Sequence, residues 1–80
     1  MTINSKIKTS VMLAFEEEFW SVDEKKGKAN QAHRHLLAAV RCGWVDMTEK
    51  QLEEMPVGDM LRLFDEWYIV YVEVMNVDPN

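Results

Sequence analysis

The chain has one cysteine, Cys42, so no disulfide can close within it. No cluster of cysteine and histidine has zinc-site spacing either. A chain of 80 residues buries only about 60–65% of its unfolded surface. Without a covalent or metal staple, its stability must come from close helix packing or from a second chain. There are three glycines, Gly27, Gly43 and Gly58, and none stands in a phosphate-binding pattern. That excludes the common nucleotide-binding loops. Nowhere do about 18 uncharged apolar residues run together, which argues against a transmembrane helix. The N-terminal MTINSKIKTSVMLAFEEEFW has two lysines and a short apolar stretch, then three glutamates and no small-residue cleavage site. It does not read as a signal peptide. With a lone thiol, this makes the cytoplasm the expected compartment.

Positive charge is scarce and uneven. The net charge is −5. Residues 1–24 carry two bases against five acids, and residues 44–80 carry two against nine. The five bases between, Lys25, Lys26, Lys28, Arg34 and Arg41, have no acid among them. Packing of this segment beside its acidic neighbours is the plain expectation; an acidic outer face that steers a basic partner is the sharper one. The basic stretch has no interleaved aromatic, and the sequence pI is about 4.9. Direct binding to DNA or RNA is therefore not expected.

What is present in quantity is apolar surface, 48% of residues, so the chain is not disordered. It is expected to form one all-α domain over residues 1–80: a small bundle of three to four helices at about 5–22, 29–42, 49–55 and 59–76. In helix one, Met12, Phe15, Phe19 and Val22 recur at steps of three and four, extended by Ile7 and Val11. Ser5 is a candidate cap. The charged DEKKGK at 23–28 makes a linker around Gly27. Helix two places Ala29, Ala32 or His33, Leu36 and Val40 on one face, with Leu37 beside them. Gly43 suits its C-terminal stop, and Arg41 its last turn. Helix three has the clearest local signal: Thr48 and Gln51 match a capping box, with Met47 and Leu52 as a hydrophobic staple. It is short because Met55 precedes Pro56.

Helix four contains the most apolar segment, WYIVYVEVM at 67–75. Its β-branched and aromatic composition also suits a strand, but no second segment alternates convincingly to pair with it. As a helix, it is apolar at 60, 61, 63, 64, 67–72, 74 and 75, most of its circumference. Such a helix must be buried nearly all round. Three short neighbours cover about half. The remainder predicts a homodimer or an obligate partner. Trp20, Trp44 and Trp67 all read as core, although so short a chain can hardly surround three tryptophans.

No catalytic, cofactor-binding or metal-binding set emerges. His33 and His35, two apart on a helix, point to different faces. Glu16, Glu17 and Glu18 beside Trp20 read as a solvated face. Cys42 at a helix C-terminus meets a dipole that opposes a thiolate. The sequence therefore points to a non-enzymatic helical interaction module. Small acidic domains of this kind are common as inhibitors or adaptors in phage and mobile elements. The expected partner-binding residues are Phe64, Trp67, Tyr68, Tyr71, Val74 and Met75. Glu53, Glu54, Asp65, Glu66 and Glu73 are the expected steering acids. The alternatives are a small phage assembly chaperone, a DNA mimic, or a small enzyme in which His33, His35 or Cys42 meets an acid.

Overall fold

A computed structural model describes residues 2–76. Among these, the chain is mostly helical, with four helices: α1 (Thr9–Ser21), α2 (Lys28–Arg41), α3 (Glu49–Glu54) and α4 (Val57–Met75). Two short strands, β1 (Thr2–Ile3) and β2 (Val45–Asp46), pair antiparallel, with Thr2 opposite Asp46 and Ile3 opposite Val45.

This pairing corrects the expected start of helix one. The first four residues of the span 5–22 are not helical, because the segment before α1 is anchored elsewhere. Asn4 N–H donates to the Trp44 carbonyl at 3.1 Å. The Trp44 indole Nε1–H donates back to the Asn4 carbonyl at 2.9 Å. Asn4 Oδ1 then accepts from Lys6 N–H at 3.0 Å, a side-chain turn that redirects the backbone. Lys8, not Ser5, stands at the N-cap, without a side-chain cap.

Gly27, with φ of 112°, occupies the break before α2. This central helix packs on both α1 and α4. Ala32, Ala38 and Ala39 are fully buried, and their short side chains admit the neighbours closely. Where α2 ends, Trp44 N–H reaches the Ala39 carbonyl at 2.9 Å and Gly43 N–H reaches Val40 at 3.2 Å. This is the paired bonding of a Schellman stop, and it needs Gly43 at φ 86°. The turn delivers Trp44 into the core.

The capping box forms as the sequence implies. Thr48 Oγ1 accepts from Gln51 N–H at 3.0 Å, and Gln51 Oε1 accepts from Thr48 N–H at 2.9 Å. Met55 is extended before Pro56, which stops α3. α4 starts at Val57, two residues before the expected 59, with Pro56 at the N-cap. Asp59 instead pairs with Arg62 at 3.4 Å within the first turns. Residues 68–74 are helical throughout, so the strand-like composition yields to the helix. Pro79, the next breaker in the sequence, lies outside the described residues.

The core is an aromatic knot. Trp44 and Trp67 are fully buried, with ring centroids 5.2 Å apart, and Phe15 lies 5.3 and 5.4 Å from them. Burying two rings of this size removes about 150–250 Å² each from water, roughly 4–6 kcal/mol of transfer free energy apiece. Two of the basic side chains fold back onto acidic neighbours. Arg34, itself buried, stacks its guanidinium 3.9 Å over the Phe19 ring and donates to the Phe19 carbonyl at 3.2 Å. It also reaches Glu24 at 4.0 Å. Arg41 bridges Glu49 at 3.2 Å and Glu18 at 3.7 Å. The hydrogen bond to Glu49 raises the Arg41 pKa above its ordinary value.

Candidate functional site

The apolar positions of α4 divide into two arcs, at about 100° of rotation per residue. Met60, Leu63 and Trp67 face the core and are buried. The opposite arc carries Tyr68, Ile69, Val72 and Met75, all exposed; Ile69 is 62% and Tyr68 46% accessible. Phe64 and Tyr71 sit on the seam between the arcs, half-buried. The Tyr71 ring lies 5.1 Å from Trp67, 6.0 Å from Trp44 and 6.1 Å from Phe15. Tyr68 stacks beside it, 5.9 Å away. The three neighbouring helices therefore leave this outer arc uncovered.

α1 runs alongside. Its Phe15 meets Trp67 and Tyr71, while its Phe19 reaches toward Phe64 through the intervening His35 ring, at 4.7 and 5.4 Å. α1 and α4 both pack on α2 and meet each other through these rings. Between them lies a groove of about 110 Å³, lined by Phe15, Glu16, Phe19, Trp20, His35 and Tyr71. Small-molecule sites are usually larger, about 300–1,000 Å³. On the outer side of α1, Leu13 and Trp20 are 57% and 74% exposed. With Glu16 they fall at i, i+3 and i+7, one face of the helix.

The expected partner-binding residues therefore separate. Tyr68 and Met75 lie on the open arc, while Phe64, Tyr71 and Val74 are half-buried at its edge. Trp67 has no exposed surface and supports the arc from beneath. Its indole Nε1 is buried with no hydrogen-bond partner among the described residues. Trp20 corrects the core assignment. It lies one position past the α1 stripe, rests edge-on against Phe19 at 5.3 Å, and has the Arg34 guanidinium 5.3 Å from its ring. Leu13, Trp20, Ile69 and Val72 were absent from the expected set. Trp20 was recoverable from its position off the Met12–Phe15–Phe19–Val22 stripe. Ile69 was recoverable too, since Asp65, Glu66 and Glu73 are its neighbours one turn away, whereas Val72 has Tyr68, Ile69 and Met75 as apolar neighbours at that spacing.

The steering acids separate too. Asp65 falls within the open arc, whereas Glu66 and Glu73, seven apart and so on nearly the same bearing, lie on the polar side of α4 with Asp59 and Arg62; all three acids are exposed. Glu53 and Glu54 belong to α3, and Glu53 lies 3.9 Å from His33 Nε2. Glu16 and Glu17, read from sequence as merely solvated, border Leu13 and Trp20. None of Glu16, Glu17, Asp65, Glu66 and Glu73 enters an ion pair among the described residues.

The chemically capable side chains have local partners. His35 Nδ1 lies 2.7 Å from the Gln31 carbonyl oxygen, so the ring proton sits on Nδ1. The Cys42 thiol donates to the Ala39 carbonyl at 3.4 Å, and burial pushes its pKa above the ordinary thiol range. No group of three or more His, Cys, Asp or Glu is placed to hold a metal among the described residues. A wider hollow of about 730 Å³ beside α3 is lined by Asp46, Met47, Thr48, Gln51, Glu54 and Met55. Thr48 and Gln51 are already committed to each other there. No helix among the described residues is long and apolar enough to cross a membrane. Comparison with known proteins finds no matching protein-family model, curated protein or solved structure.

Proposed function

We propose that this protein is a non-enzymatic helical interaction module, an acidic inhibitor or adaptor that binds a partner protein through the outer arc of α4. The observation that carries this reading is the exposed run Tyr68, Ile69, Val72 and Met75 on a helix whose opposite arc fills the core. Isolated apolar side chains on a surface need no explanation, but a contiguous set does. Across the groove, Trp20 is exposed as well. Tryptophan and tyrosine are also the residues most enriched among interface hot spots. Further support comes from the imidazole of His35 and the thiol of Cys42, both engaged with backbone carbonyls.

The test is affinity capture from the native host, comparing the wild-type chain with Tyr68→Glu. Tyr68 is preferable to Tyr71, because Tyr71 packs on Phe15, Trp44 and Trp67 and a charge there would disturb the core. The expected result is a captured protein that disappears with Tyr68→Glu while helicity and melting temperature hold. Identical captured sets from both forms would refute the assignment. Light scattering on the purified chain distinguishes a heterologous partner from a second copy on the same arc.

A further inference from the structure

We infer that the α1–α4 groove and its two lips receive a basic amphipathic helix from the partner, an inference that rests on the interaction reading above. Three observations converge. The first is shape. α1 and α4, both packed on α2, flank a shallow aromatic channel, and the shorter, α1, is 13 residues or about 20 Å long. An apolar helix face laid in such a channel is a common recognition mode, read by anchors at i, i+3, i+4 and i+7. The groove between Phe15, Phe19 and Tyr71 has room for one inserted side chain.

The second is the position of the exposed apolar residues. Leu13 and Trp20 form the lip on α1; Tyr68, Val72 and Met75 form the lip on α4. Trp20 lines the channel directly, and Tyr68 adjoins it through its stack on Tyr71.

The third is charge, and it selects the occupant. Glu16 and Glu17 flank the α1 lip, and Asp65 adjoins Val72 and Tyr68 on the α4 lip, all without ion-pair partners among the described residues. Within Thr9–Ser21 there is no Lys or Arg. The one base of α4, Arg62, pairs with Asp59 on the polar side. A second copy placing the same face here would set acid against acid, which costs affinity and suppresses the wrong partner. The lysines outside any ion pair among the described residues, Lys6, Lys8, Lys25, Lys26, Lys28 and Lys50, lie in the stretches 2–8, 25–28 and 49–54, which carry no exposed large apolar side chain. They do not make the amphipathic face this channel fits. Lysines or arginines flanking an apolar stripe do.

The experiment titrates the full chain with three synthetic 18-residue peptides, followed by amide chemical shifts and calorimetry. The first has leucines on one helical face and lysines elsewhere; the second replaces lysine by glutamate; the third is a scramble of the first. The expected result is binding of the first alone, with shifts at Leu13, Trp20, Tyr68, Val72 and Met75 and weakening as salt rises. Trp20→Ala, which removes an exposed ring, should weaken binding about tenfold or more. Glu16→Lys with Asp65→Lys should lower affinity for the lysine peptide at least about tenfold, or roughly 1.4 kcal/mol. Equal binding of all three peptides, or shifts confined to another face, would overturn the inference. So would concentration-dependent shifts at the same residues without peptide, since a second copy would then fill the groove. In that last case the α4 arc remains an interaction surface. Host capture lost with Tyr68→Glu, but no binding of the lysine peptide, would likewise refute the basic helix and spare the broader reading.

Discussion

Replacing each buried tryptophan by phenylalanine should produce two different energies from one chemical change. Trp44 and Trp67 are both fully buried and lie against each other. Truncation to phenylalanine removes the same atoms from both, so the volume cost largely cancels in the comparison. The polar atom does not cancel. Trp44 Nε1–H donates to the Asn4 carbonyl at 2.9 Å, tying the segment before α1 to the turn after α2. Losing that bond costs about 0.5–1.5 kcal/mol net. Trp67 Nε1 is buried without a partner among the described residues, so its removal returns a desolvation penalty of about 1–3 kcal/mol. Trp44→Phe should therefore be the more destabilising by about 3 kcal/mol, with the volume term shared. In a domain this small, each kcal/mol moves the melting temperature by about 4–8 °C. The two variants should then melt roughly 12–24 °C apart. Urea titration and thermal melts read by far-ultraviolet circular dichroism give both quantities. If Trp67→Phe proves as costly as Trp44→Phe, or more so, the indole of Trp67 is satisfied in solution and the reasoning fails.

Gly43→Ala tests the Schellman stop. A Cβ built there meets nothing within 4 Å, so any loss must come from the backbone at φ 86°. About 1–2 kcal/mol is expected, read by urea titration; no change would mean that the turn relaxes. Cys42 should be slow to alkylate at neutral pH, because burial holds the thiol protonated. The same group links stability to pH. Its folded pKa is raised, so the contribution is complete below the unfolded value of about 8.5 and is lost as pH climbs through the folded value. Alkylation rates against pH, with Cys42→Ser as the stability control, measure both effects; rapid reaction at pH 7 would contradict them.

The local signals were the legible ones. Thr48, Gln51 and Gly43 act on groups within five residues of themselves, so spacing alone identified the α3 cap and the α2 stop. The stripe of α1 was legible for the same reason. The β1–β2 ladder was not, because it consists of two residues per strand. It is held by contacts such as Asn4 with Trp44, 40 positions apart. Those contacts also moved the start of α1 from 5 to Thr9. On α4 the helix was readable but its orientation only in part. Around Val72, where Tyr68, Ile69 and Met75 are apolar, periodicity cannot say which arc faces inward. Only the placement of Phe15, Leu36 and Trp44 assigns Trp67 to the core and Val72 to the outside. Trp20 failed differently: residue type suggested burial, while its position off the stripe indicated the exposed lip.

The most direct test of the α4 arc as a docking surface is site-specific photo-crosslinking in the native host. A photoreactive phenylalanine analogue would replace Val72, on the open arc, or Arg62, on the polar side of the same helix. The account predicts one discrete higher-mass adduct from position 72 and none from position 62. Equal adducts from both positions, or an adduct from 62 alone, would contradict it.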